Sequence, residues 1–146
     1  MKITVLTVGK IKEKFYTAAI DEYSKRLSRY CKLNIIQVAD EKTIENSTEK
    51  EMDIIKAKEG ERILKNIPDD AFVITLEING KMLDSEELAD KINKLGIMGE
   101  SHIVFVIGGS LGLHQDVSKR ANFKLSFSKS VGIIPFGPLP KSYRLI

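Results

Sequence analysis

The chain has no tryptophan, a single cysteine, two histidines and four prolines among its 146 residues. Each scarcity excludes something. One thiol, Cys31, makes no internal disulfide, so the chain is not a cystine-stapled scaffold; Cys31 reads as a small buried hydrophobe and a cytoplasmic address is expected. No apolar run approaches the roughly 20 residues of a membrane helix. The opening residues, Met1 to Leu6, enter a strand pattern rather than a signal peptide. His102 and His114 have no Cys or carboxylate at ligand spacing, so no metal is expected. Gly80-Lys81 lacks the earlier glycine and the following Ser or Thr of a P-loop. Gly108-Gly109-Ser110-Leu111-Gly112 lacks the G-x-G-x-x-G spacing of a dinucleotide fingerprint.

What is present is a soluble globular composition, 42% hydrophobic and 29% charged, of a length that suits one domain. The central feature is Ile103 to Ile107, five apolar and mostly β-branched residues running into the glycines at 108, 109 and 112. A short unbroken apolar run predicts a strand buried on both faces, as in a parallel sheet. Ligands of open α/β sheets bind at the carboxyl ends of such strands.

The remaining elements alternate around this strand. Strands are predicted at Lys2–Val8, Leu33–Val38, Ala71–Glu77 and Phe123–Phe127, with Asn79-Gly80 turning the chain after the third. A helix over 11–30 carries Phe15, Ala19, Tyr23, Leu27 and Tyr30 on one face. The spacing of Thr48 and Glu51 predicts a capping box that opens a helix with Met52, Ile55, Glu59, Ile63 and Ile67 along one stripe. Asp84 or Ser85 caps a further helix bearing Leu88, Ile92 and Leu95, which Gly96 and Gly99 end. A short helix follows from about His114 to Arg120. The alternation with short connections predicts an α/β fold, one domain with a largely parallel sheet.

Charge is unevenly distributed. Residues 1–39 carry eight Lys/Arg against three Asp/Glu, residues 40–100 nine against sixteen, and residues 101–146 six against one. If the two basic ends meet, they form a surface suited to an anionic partner such as RNA; uneven solvation of helix faces accounts for the pattern equally well.

Three segments taken together are more specific than any one of them: Leu76-Glu77-Ile78-Asn79-Gly80-Lys81, Phe105-Val106-Ile107-Gly108-Gly109-Ser110-Leu111-Gly112, and Leu125-Ser126-Phe127-Ser128-Lys129. With Val8-Gly9-Lys10, they make the chain resemble the ribosomal large subunit methyltransferase H family, the YbeA-type members of the SPOUT superfamily, over residues 1–129. The resemblance implies a SPOUT-type α/β domain over 1–129 with a trefoil knot, acting as a homodimer. It implies S-adenosylmethionine as cofactor, no metal, and methylation of N3 of a pseudouridine in the 23S RNA of the ribosome. It places the cofactor's adenosine between three loops, carried here by Leu76, by Gly108 and by Phe127, Ser128 and Lys129. It assigns no catalytic residue for removal of the N3 proton.

After Lys129 the resemblance stops. Ser130 to Ile146 holds Pro135, Pro138 and Pro140 with Gly132 and Gly137, a composition no helix tolerates. An aberrant tail over 130–146, replacing the family's C-terminal helix, is therefore expected. Two other readings remain open: a degenerate, catalytically impaired homologue that binds only RNA or the ribosome, and an unrelated nucleotide-binding α/β enzyme. Binding of S-adenosylmethionine separates them.

Overall fold

The computed structural model of the protein describes residues 1–9, 25, 31–42, 45–109 and 111–126. Five strands form one sheet: β1 (Lys2–Val8), β2 (Lys32–Val38), β3 (Phe72–Met82), β4 (His102–Ile107) and β5 (Phe123–Ser126). Their order is β2-β1-β4-β3-β5 and every pairing is parallel. Three helices are described: α1 (Glu49–Lys65), α2 (Ser85–Ile97) and α3 (Gln115–Arg120). Of the helix expected over 11–30 only Lys25 is described. The trefoil knot and the 130–146 tail also fall outside the described residues, as does most of the basic charge of the two chain ends.

Two apolar layers explain the sheet. Leu6, Val38, Val73, Val104 and Val106 pack with Ile63 and Ile67 of the α1 region and with Val117 of α3. On the opposite face Ile3, Ile74, Ile103, Phe105 and Leu125 pack with Leu83, Leu88 and Leu95. Alternate residues of β4 thus enter different layers, and Ile103 to Ile107 are all buried. That is why a central strand reads as a continuous apolar run. Lys91 of α2 adds a polar contact, its Nζ lying 4.0 Å from the centroid of the Phe123 ring on β5.

The helix ends follow local chemistry. Asp84 and Glu87 make a complete capping box on α2. On α1, by contrast, the Thr48 hydroxyl accepts from the Glu51 N–H, and the Glu51 carboxylate receives the Thr48 hydroxyl rather than the Thr48 backbone N–H. Gly96 does not end α2, which runs on to Ile97. The stop comes at Gly99, whose φ of 97° lets its own N–H reach the Gly96 carbonyl and that of Glu100 reach Leu95.

One strand boundary differs from expectation. Asn79-Gly80 does not terminate β3. Leu76 and Lys81 are both registered on Leu125, so the chain bulges out between them and returns to pair Met82 with Ser126. Gly80 permits this return, because a Cβ there would lie 2.7–2.9 Å from the backbone of Lys124 and Leu125.

Candidate functional site

At the carboxyl end of β4 the chain folds back on itself. Gly112 donates its N–H to the Gly109 carbonyl at 3.0 Å, with a φ of 85° that favours glycine. A Cβ at Gly108 would come within 3.0 Å of the Gly112 carbonyl carbon and of Leu113 Cδ2. A side chain at Gly108 would therefore crowd the returning chain at Gly112 and Leu113. Its outer side lies against Val8 of β1 and the carboxylate of Glu59 of α1.

The structure brings two of the expected site residues together. β3 and β4 are neighbours with Thr75 opposite Val106, so Leu76 and Gly108 leave adjacent strands at one edge of the sheet. Leu76 is half-buried there against the layer that contains Leu125. Phe127, Ser128 and Lys129 lie outside the described residues; Ser126, the last residue of β5, stands at the same edge. Two hydroxyls at these strand ends, Thr7 Oγ1 and Ser126 Oγ, are buried with no hydrogen-bond partner among the described residues. Orphaned buried hydroxyls are uncommon, and they concentrate interest on this edge.

Two carboxylates near the edge were not singled out by residue patterns. Glu59 is only 5% exposed, although it belongs to a helix rich in charge. Its Oε2 accepts the Glu41 N–H at 3.0 Å. Arg62, one turn further along α1, donates to the Ala39 carbonyl at 2.9 Å and pairs with the Glu41 carboxylate. Burial pushes the Glu59 carboxyl above its ordinary value, and the Asp40 and Glu41 charges add to this. The Glu41 N–H and Arg62 oppose it. Its signal in the sequence is a glutamate within the otherwise apolar stripe of Met52, Ile55, Ile63 and Ile67.

Glu77 follows Leu76 directly. Its carboxylate accepts from Ser118 Oγ of α3 at 2.8 and 3.0 Å and from Thr75 Oγ1 at 2.6 Å. No local pattern announces this, because Ser118 lies 41 positions away.

The remaining candidates serve the fold. His102 Nε2 is 2.7 Å from Thr4 Oγ1 at the opposite, amino edge of the sheet. His114 is the N-cap of α3, its Nδ1 accepting the Asp116 N–H at 3.2 Å. Among the described residues no group of three or more His, Cys, Asp or Glu side chains is placed to hold a metal ion. Cys31 is half-buried rather than buried, and burial raises its thiol pKa, so it is no activated nucleophile. No helix among the described residues is long and apolar enough to cross a membrane.

Comparison with known proteins agrees with this geometry. Residues 1–132 match the family model described as "Predicted SPOUT methyltransferase". A protein of Clostridium botulinum strain Hall, named Ribosomal RNA large subunit methyltransferase H, is 64% identical over 129 residues, 88% of this chain and 81% of the relative. Proteins of the same name from Bifidobacterium adolescentis (64% identical over 129 residues, 88% and 81%) and Alkaliphilus oremlandii (60% over 128 residues, 88% and 80%) align over a similar extent. A parallel α/β sheet with a glycine turn at the carboxyl end of β4 and a family match over residues 1–132 lead to one conclusion: the chain belongs to the SPOUT methyltransferase family.

Proposed function

We propose that this chain transfers a methyl group from S-adenosylmethionine to ribosomal RNA of the large subunit, at N3 of a pseudouridine in the 23S molecule, working as a homodimer. The observation that carries the reading is its 64% identity, over 88% of its length, to a protein named for that class of reaction. The placement of Leu76 and Gly108 on adjacent strand ends supports the location of the site.

The described residues fit a nucleoside cofactor. Backbone free of side chains at Gly108 and the hydroxyls of Thr7 and Ser126, unpartnered among the described residues, stand at one edge, where polar groups of a ligand would find partners. Bound S-adenosylmethionine would supply an electrophilic methyl group on a sulfonium. Leu76 would offer an apolar surface to the adenine, and the backbone at Leu76 and Gly108 would read its polar edge. Phe127, Ser128 and Lys129 are assigned the third side of the pocket. Transfer would break the methyl–sulfur bond, form the methyl–N3 bond and release the N3 proton, and the principal contribution asked of the chain would be alignment of acceptor and donor. Lysines and arginines of the basic chain ends would hold RNA phosphates, a salt-dependent contribution that positions without specifying sequence.

The tail over 130–146 is proposed to stand in place of the family's C-terminal helix; the family match ending at residue 132 supports this. Calorimetry with S-adenosylmethionine and its demethylated product, followed by transfer of labelled methyl to ribosomes, tests the whole reading. Saturable heat and incorporation into 23S RNA are expected. RNA binding without cofactor heat would instead establish a non-catalytic homologue.

A further inference from the structure

Glu77 occupies the point where β3 leaves the sheet, immediately after Leu76 and before the chain returns at Lys81. Ser118 Oγ donates to its carboxylate from α3, and Thr75 Oγ1 donates from its own strand. At the far end of the bulge Gly80 rests on the backbone of Lys124 and Leu125. The bulge is thus tied to α3 by Glu77 and to β5 by Gly80.

The partner on α3 matters because of where that helix begins. Its N-cap, His114, comes two residues after Gly112, so α3 is the continuation of the glycine turn. Burial of Val117, which is fully enclosed in the core, already holds α3 against the sheet. A hydrogen bond to a carboxylate adds direction to that contact, since it is short and angle-dependent where apolar packing is not. Sliding α3 along the sheet would move the turn at Gly108 relative to Leu76 and would break the bond to Ser118.

We infer that Glu77 is a positioning residue for the cofactor pocket, setting the separation of the Leu76 and Gly108 walls through Ser118. The inference rests on the reading above that those two residues bound the cofactor site.

The test measures S-adenosylmethionine dissociation constants, methyl-transfer KM and kcat, and melting temperature for wild type, Glu77→Asp, Glu77→Gln, Ser118→Ala and the double variant Glu77→Ala/Ser118→Ala. Glu77→Asp keeps the charge but shortens the reach, and is expected to weaken cofactor binding about tenfold, the equivalent of one hydrogen bond to a charged group. Ser118→Ala should weaken it severalfold, with kcat at saturating cofactor and melting temperature nearly unchanged. Glu77→Gln keeps length and an acceptor, and should recover most of the affinity. The double variant should be no weaker than a Glu77→Ala single variant measured beside it, because the Ser118 contact is already lost there. Unchanged affinity in folded Ser118→Ala and Glu77→Asp overturns the inference. Should the Glu77 variants not fold, Ser118→Ala decides alone, since it leaves the Thr75 contact in place. A wild-type chain that takes up no S-adenosylmethionine overturns the reading of the site and the inference together.

Discussion

At the amino ends of the strands Arg120 donates to the carbonyls of Pro68, Asp69 and Ala71. Asn122 exchanges two 2.8 Å hydrogen bonds with the backbone of Val73, and His102 meets Thr4. At the carboxyl ends of the same strands Glu59 is buried with a raised pKa, and Thr7 and Ser126 keep hydroxyls without partners among the described residues. There β3 bulges, and the chain turns through a positive φ at Gly112. One end uses its polar groups to close loops onto strands. The other keeps polar groups and backbone irregularities that a fold alone would not favour. Local departures of this kind are compensated where binding rather than packing repays them, which the proposed cofactor site would do.

The contrast can be tested from both ends. The largest effect is expected at Gly80, where a methyl group would collide with β5. Glycine 80 to alanine should destabilise the protein by about 3 kcal/mol in urea denaturation, as overpacking against backbone does. It should also abolish cofactor binding by separating the bulge from β5; a loss of stability without a loss of binding would mean that the bulge does not shape the site. Arg120→Ala removes the three hydrogen bonds to carbonyls and a fourth to Asn122 Oδ1 at the amino end, and should cost about 2 kcal/mol. Cofactor affinity should remain that of wild type, and a parallel fall in affinity would erase the distinction between the two edges.

Glu59→Gln gives a smaller effect of opposite sign. The folded protein holds the Glu59 proton more tightly than the unfolded chain, whose ordinary value is 4.5. This group's contribution to stability is therefore greatest below pH 4.5 and is lost as pH rises through the raised folded value. Urea midpoints of Glu59→Gln should gain on wild type between pH 4.5 and 8. A variant that loses stability at pH 8 would make Glu59 a structural residue like those of the amino end. The smallest effect is expected at His102, whose pKa is lowered by burial and then by Lys2. Its neutral ring is favoured in the fold, so the unfolded chain takes up the proton more readily below pH 6.5 and stability declines as pH drops through that value. His102→Gln should flatten that decline, as read from melting temperatures at pH 5.5 and 8.

Much of the fold is legible in residues close together in sequence. The run Ile103 to Ile107 announces a strand covered on both faces, and the Asp84-Glu87 spacing announces the start of α2, because each depends on neighbours within one turn or one pleat. Leu76 and Gly108 are recognisable from short segments with a family resemblance, and the sheet sets them on adjacent strand ends. Glu59 left a fainter mark, a carboxylate inside an apolar stripe. The bond from Ser118 to Glu77 left none.

Among the described residues, the sequence by itself located five strands and three helices, though not the far end of β3, and showed which residues are apolar enough to be covered and where a turn after β4 required glycine. Tertiary structure alone decided the strand order β2-β1-β4-β3-β5, the return of β3 onto β5 at Lys81, and the burial of the Glu59 carboxylate beside Gly109. The physical reason is range. Periodicity and capping act between residues a few positions apart, whereas strand order and the meeting of Glu77 with Ser118 are set by contacts that exist only once distant segments have packed.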